Sequence, residues 1–343
     1  MRIILTLLAS SYVTASHISA EKFSLRVPDH VKQLNGQAPA DYINNNHPFH
    51  KANPPRMTYE EFTSRLMNVK YLTIPKKSER AEELEVAEEI PESFDAREKW
   101  PHCDSIGLIR DQANCGSCWA VSAASAMSDR LCIQSNGRNK TILSDADLLA
   151  CCGESCGYGC GGGYLLPAWK YAVNKGVCSG GLYKAKGCCK PYTFHPCGQH
   201  KDQPYYGECE ESGKIITCRA LCQFRYNKSY EEDKIYVSDA YWVADNEEAI
   251  QKEIMVRGPA QAAYVVYIDF LYYNGGVYVH KWGEQAGVHA VKIIGWGVDN
   301  GTKYWLVSNS WNSDWADEGY FKILRGENEC GIEEMVAAGI MKL

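Results

Sequence analysis

The sequence predicts an α+β protein of two lobes, the first helical and the second rich in β-structure, with a cleft between them. Three observations carry this expectation. Residues 118 to 131, CWAVSAASAMSDRL, contain no glycine or proline and many alanines and serines, which fits a buried helix closely packed by its neighbours. After about residue 235, the runs VHAVKIIGWGV, KYWLVSNSW and GYFKILRG are β-branched and aromatic, broken by Gly and Asn, and read as short strands. Sixteen cysteines, all but Cys330 between residues 103 and 222, point to a disulfide-braced body made in an oxidising compartment.

The 343 residues are 45% hydrophobic and 23% charged, an ordinary globular balance, and the net charge of −6 provides no basic patch for nucleic acid. Arg2 precedes the apolar run IILTLLASSYVTA, and Val13-Thr14-Ala15 is a small-residue cleavage site, so residues 1–15 read as a signal peptide ending between 15 and 20. A buried N-terminal strand is the alternative. No later apolar stretch is long enough to span a bilayer. Sequons at Asn139, Asn227 and Asn300 suit the secretory pathway, with a lysosomal or extracellular destination.

Residues 16–89 contain no cysteine and end in KKSERAEELEVAEE, the composition of an exposed linker. Thr58 and Glu61 form a capping box, and Phe62, Leu66 and Val69 fall on one helical face. A short helical segment on a cleavable linker reads as a pro-segment, with a small independent domain as the alternative. The main domain then runs from residue 90 to 343.

The chemistry sits in DQANCGSCWAV, residues 111 to 121. A redox couple ordinarily has its tryptophan before the first cysteine. A zinc site needs a second ligand pair; Cys151, Cys152, Cys156 and Cys160 offer one, although bridging suits an oxidising compartment better. The remaining reading makes Cys118 a nucleophile at the start of the helix, where the dipole stabilises a thiolate, and leaves Cys115 for a bridge. Such a thiolate needs a base and a group that orients it. GVHAVKII offers His289, and VSNSW, at the end of the next strand, offers Asn309.

CGSCW, GVHAVKIIGWGV and YWLVSNSW, with SFDAREKWPHC, CCGESCGYGCGGGY and CGIEE, resemble the cathepsin B-like branch of the papain family of cysteine peptidases over nearly all of residues 90 to 343. The resemblance implies a papain-like fold, with a helical left lobe, a β-barrel-like right lobe and an occluding-loop insertion at about 189–222. His289 and Asn309 lie 171 and 191 residues beyond Cys118, further than the roughly 130–150 of a generic member, and the insertion holds the excess. Cys118 is then the nucleophile, His289 its acid–base partner, Asn309 the orienting group and Gln112 the oxyanion donor. The substrate-binding set is Gly162 and Gly163 along the cleft, Trp311 shielding the His–Asn bond, His200 in the loop and Met335 in the S2 pocket.

The resemblance also implies the disulfides Cys103–Cys132, Cys115–Cys160, Cys151–Cys218, Cys152–Cys156, Cys189–Cys222 and Cys197–Cys209, with Cys330 unpaired. Cys178 and Cys188 are extra; they could bridge each other around a Gly-Gly turn or remain buried thiols. The implied partners are peptide and protein substrates, the chain's own pro-segment as inhibitor, and cystatin-type inhibitors, for a monomer without metal or cofactor. Activation by cleavage near residues 86 to 91 at acid pH follows, driven by carboxylates of the pro-segment. Gln199 replaces the first of the loop's two histidines and no arginine lies between Cys197 and Cys209, so a loosely latched loop is expected. Endopeptidase activity should then dominate over dipeptidyl carboxypeptidase activity. The rival readings are an inactive, peptide- or glycan-binding family member and a cystine-rich structural protein.

Overall fold

The computed structural model describes residues 36–209 and 216–343, so the expected signal peptide lies outside the described residues. The chain begins with helix α1 (Gln37–Asn46), strand β1 (His50–Ala52) and helix α2 (Tyr59–Ser64). The capping box starts α2: Thr58 Oγ accepts from the Glu61 N–H at 3.1 Å, and Glu61 Oε2 accepts from the Thr58 N–H at 2.7 Å. The helix stops sooner than the apolar spacing predicts. Phe62 and Leu66 are buried, but Val69 is 48% exposed, in a 3₁₀ turn beyond the helix. The charged stretch 76–89 is mostly exposed, yet Arg80 anchors it by donating to the carbonyls of Val243 and Glu334.

A two-residue strand β2 (Phe94–Asp95) and the short helix α3 (Ala96–Lys99) lead into α4 (Cys118–Gln134), the central helix of the first lobe, with α5 (Asp145–Cys151) and α6 (Leu165–Lys175) against it. Every residue of α4 from Cys118 to Ile133 is buried, because small side chains let its neighbours approach on all sides. Two buried ion pairs pin it to the second lobe: Asp129–Lys292 at 2.6 Å and Arg130–Glu253 at 2.8 Å. Arg130 also donates to the carbonyls of Gly258, Pro259 and Gly339, so each of its three nitrogens is hydrogen-bonded in the buried site.

The second lobe comprises β3 (Val237–Trp242), helix α7 (Glu247–Arg257), β4 (Ala260–Tyr267), β5 (Tyr273–Tyr278), β6 (Gln285–Asp299), β7 (Thr302–Ser308), β8 (Tyr320–Leu324) and β9 (Val336–Met341). The strands order as β1-β5-β8-β7-β6-β4-β9-β3, with β2 on β6; β5 and β8 are parallel and the other pairs antiparallel. The sheet is not closed into the barrel that the resemblance suggested: β1 and β3 are its two edges among the described residues. One edge is therefore supplied by the N-terminal segment, whose His50 pairs with Gly276 of β5. Strand β6 is buried from Gly287 to Gly297, which explains its unbroken apolar run.

Disulfides join Cys103–Cys132, Cys115–Cys160, Cys151–Cys218, Cys152–Cys156, Cys189–Cys222 and Cys197–Cys209. The bridge considered between Cys178 and Cys188 is not formed; both are buried free thiols. Cys178 packs with Cys189 and Tyr230, whereas the Cys188 sulfur faces the Ala185 carbonyl and the Gln223 amide.

Candidate active site

Cys118 is the first residue of α4, His289 lies in the buried middle of β6, and Asn309 directly follows β7. Strand and helix meet at this point, where the Ala290 backbone, next to His289, faces the Cys118 sulfur. Asn309 Oδ1 accepts from His289 Nε2 at 2.7 Å and from the Ser310 N–H at 2.8 Å. That double use fixes the proton of the neutral imidazole on Nε2, and Nδ1 has no hydrogen-bond partner. Trp311 lies over the pair, its ring centroid 4.8 Å from that of His289, and bridges through its backbone to Asp111.

Gln112 joins the same cluster from the loop before α4. Its N–H donates to the Ser310 carbonyl at 2.9 Å, and its Oε1 accepts from Ser310 Oγ at 2.7 Å. Ser310 thus touches both Asn309 and Gln112, a link that motif reading overlooked although the residue stands inside SNSW. The remaining Gln112 amide donates to the carbonyls of Cys115 and Arg65, each at 2.7 Å.

Arg65 belongs to the N-terminal segment, which runs through the cleft. Met67 pairs with Val288 through two backbone bonds of 2.8 and 3.0 Å, immediately before His289. Leu66 and Met67 press on Gly287, and Tyr71 on Gly162, so closely that a Cβ at Gly287 would stand 2.9 Å from Leu66 and one at Gly162 would stand 2.6 Å from the Tyr71 ring. Gly163 is constrained differently: Trp119 and the Cys156 carbonyl occupy the space of its missing side chain. Met335 is buried in the apolar cluster that also holds Met67, Tyr71, Ala263 and Ala290.

Covering the cleft excludes water, and burial pushes the Cys118 thiol up to about 12. Burial likewise lowers His289 to about 4, opposed by its Asn309 bond and aided by the Arg65 charge. Both groups are therefore neutral at physiological pH in this form.

His200 Nδ1 lies 2.9 Å from Asp314, and its Nε2 3.6 Å from Asp111. The single histidine thus faces both acids, a closer latch than the sequence suggested. Gln199 does not bond to Asp111; it turns to the carbonyls of His200 and Gln203. Lys201 reaches Asp314 through its backbone N–H, while Gln203 and Asn312 bond to one another. Asn227 and Asn300 are exposed and Asn139 is half-buried, in a turn where its Oδ1 accepts from the Thr141 N–H.

Residues 90–340 match the family model described as papain family cysteine protease. Among curated relatives, cathepsin B-like cysteine proteinase 5 of Caenorhabditis elegans is 48% identical over 324 residues, 92% of this chain and 94% of that protein. Cathepsin B-like cysteine proteinase 1 of Ostertagia ostertagi is 44% identical over 324 residues, 93% of this chain and 94% of that protein. Among solved structures, procathepsin B S9 from Trypanosoma congolense matches with a TM-score of 0.73 and 37% identity, covering 89% of this chain and 97% of that one. With a family model matched over residues 90–340 and cathepsin B-like relatives 44–48% identical across nearly the whole chain, this protein belongs to the papain family of cysteine peptidases, in its cathepsin B-like branch.

Proposed function

We propose that the chain is the zymogen of an endopeptidase, with residues 16–89 as the pro-segment and residues 90–343 as the mature enzyme. The observation that carries this reading is the path of residues 65–71. They cross the cleft between a turn at Arg65 and a 3₁₀ turn at Val69–Tyr71, with Met67 bridging the backbone of β6 and the Arg65 carbonyl on the Gln112 amide. Six disulfides support passage through the secretory pathway, to a lysosomal or extracellular destination.

Once the segment leaves, Cys118 loses its proton to His289, and the thiolate attacks the scissile carbonyl carbon. The carbonyl oxygen becomes an oxyanion that accepts from Gln112 Nε2 and the Cys118 N–H. His289 passes its proton to the leaving amine, and the C–N bond breaks. A water, deprotonated by His289, then attacks the acyl carbon of the thioester and releases the acid with the free thiol. Asn309 holds the imidazole throughout, and Trp311 keeps water from that bond. Met335 makes S2 apolar and favours Phe, Leu or Val at P2. Dipeptidyl carboxypeptidase activity is weak, because the His200 that would receive a C-terminal carboxylate already faces two acids.

The test is to incubate the full chain at acid pH and follow processing by N-terminal sequencing and hydrolysis of a Phe-Arg substrate. New N-termini near residues 86 to 91, appearing together with activity that Cys118→Ser abolishes, are expected. Full activity with residues 16–89 still attached would overturn the zymogen reading.

A further inference from the structure

Tyr192, three residues into the insertion that begins at Cys189, touches the oxyanion loop from behind. Its hydroxyl donates to the Gln112 carbonyl at 2.9 Å and lies 2.7 Å from Ser117 Oγ. Because its one proton is given to Gln112, the Ser117 hydroxyl is the donor in the second bond, and the chain runs Ser117 to Tyr192 to Gln112. The Tyr192 ring is buried in the same cluster as Cys115 and Cys118, with Phe194 edge-on at 5.8 Å.

Two local features show what this bond restrains. Ala113 has φ +54°, a left-handed backbone that costs a residue with a Cβ about 1–2 kcal/mol and must be held by its surroundings. The Gln112–Ala113 peptide is gripped at both ends: its oxygen by Tyr192 and its N–H by Asp111 Oδ1 at 2.7 Å. Ser117 stands at the cap position of α4, yet its side chain makes no capping bond. A capping serine ordinarily contributes about 0.5–2 kcal/mol to its helix. Here that hydroxyl is turned to Tyr192.

We propose that Tyr192 is a positioning residue for the oxyanion site, holding the Gln112–Ala113 peptide and the residue before Cys118 so that the Gln112 amide and the Cys118 N–H converge on one point. This rests on the reading of Gln112 as an oxyanion donor. It also makes the base of the insertion part of the catalytic frame: a displacement there reaches the oxyanion loop through one hydroxyl.

Tyr192→Phe removes the bond and leaves the ring. In activated enzyme, kcat should fall about tenfold with KM within twofold. Affinity for a peptide aldehyde, whose adduct with Cys118 carries an oxyanion, should fall by a similar factor. Alkylation of Cys118 by iodoacetamide, which displaces iodide and develops no oxyanion, should change less than twofold. Unchanged kcat and aldehyde affinity would overturn the proposal, and so would an equal loss in alkylation, which would place the damage at the nucleophile or the fold. Gln112→Ala separates the two readings. If it too leaves kcat and aldehyde affinity intact, the donor assignment has failed; if it lowers both while Tyr192→Phe lowers neither, Tyr192 alone has failed. Should Tyr192→Phe not fold, Ser117→Ala decides, with a loss of about threefold in the same two quantities supporting the proposal and no loss overturning it.

Discussion

At Cys118 and His289, the sign of each pKa shift describes the form whose cleft is covered. Cys118 is raised by burial, so the thiol persists up to about 12; His289 is lowered, so the imidazole stays neutral down to about 4. No thiolate–imidazolium pair exists across the range between them. Removing Arg65 and its neighbours readmits water, withdraws a nearby positive charge, and leaves the N-terminus of α4 to stabilise the thiolate. We expect iodoacetamide to alkylate Cys118 at pH 6 at least tenfold more slowly in the full chain than in the processed enzyme; equal rates would show that the cleft is not closed. Met335 carries a second expectation. An apolar floor has nothing to pair with a cation, so Phe at P2 should exceed Arg by about 10–200-fold in kcat/KM, or roughly 1–3 kcal/mol. Equal rates on Phe-Arg and Arg-Arg substrates would mean that Glu334, one position earlier, reaches the pocket. That Cys118, His289 and Asn309 would come together was legible because chemistry restricts their types and the strands fix their spacing. Arg65 and Ser310 were not, because a backbone carbonyl or a common hydroxyl leaves no mark in residue type.

Among the elements, the insertion departs furthest from what residue identity alone suggested. Losing one histidine and the loop arginine implied a loose latch, but His200 hydrogen-bonds Asp314 and stands 3.6 Å from Asp111, so one imidazole faces both acids. Such a placement depends on loop geometry, which residue counting does not contain. The Asp314 hydrogen bond raises the His200 pKa, and His200 in return holds Asp314 below its ordinary value despite the opposing effect of burial. A histidine whose pKa is raised in the closed loop stabilises closure fully below about 6.5, and that stabilisation is lost as pH rises through the raised value. Cleavage of long internal peptides, which requires an open primed side, should therefore increase relative to short substrates as pH rises. His200→Ala should flatten that dependence and raise endopeptidase activity about two- to fivefold at pH 5. A peptide and its C-terminal amide should be cleaved within threefold of each other. A tenfold preference for the free acid that collapses in His200→Ala would show that His200 leaves its acids to bind carboxylate. The helices and strands were easier to anticipate than this loop. The glycine-free alanine run of α4 and the buried run of β6 are each set by local composition, whereas α2 ends at Ser64, where the chain turns to bridge Met67 to Val288.

Across the whole molecule, the places at which the N-terminal segment grips the body include the β5 edge, the cleft and the Arg80 anchor. The sequence suggested that its carboxylates would sense acid, and the structure adds buried histidines at the edge of the sheet. Glu61 caps its own helix, and Glu83 pairs with Lys252 at the surface, where solvent screens the pair. The titratable groups that the segment itself buries at the β5 edge are the histidines His47 and His50, which meet Tyr273, Tyr278 and Asp269 of the body. His47 Nε2 donates to the Val279 carbonyl at 3.0 Å, near the charges of Asp269 and Lys281; burial lowers it to about 4. His50 packs against His47, Tyr273 and Tyr278, with both ring nitrogens buried and without a hydrogen-bond partner, and burial lowers it well below 6.5. A histidine whose pKa is depressed on docking favours the docked state above about 6.5, and that contribution is lost as pH falls toward the depressed value. Acid thus works directly against the edge strand that the segment lends to the sheet. Replacing His50 with phenylalanine keeps the ring volume and removes the titration. We expect the rate of acid processing of His50→Phe to fall at least fivefold at pH 5, with its midpoint displaced to lower pH, while the processed enzyme keeps the wild-type pH profile. An unchanged midpoint would return the trigger to the carboxylates; a changed profile after processing would place the effect in the mature enzyme and not in the docking of its N-terminal segment.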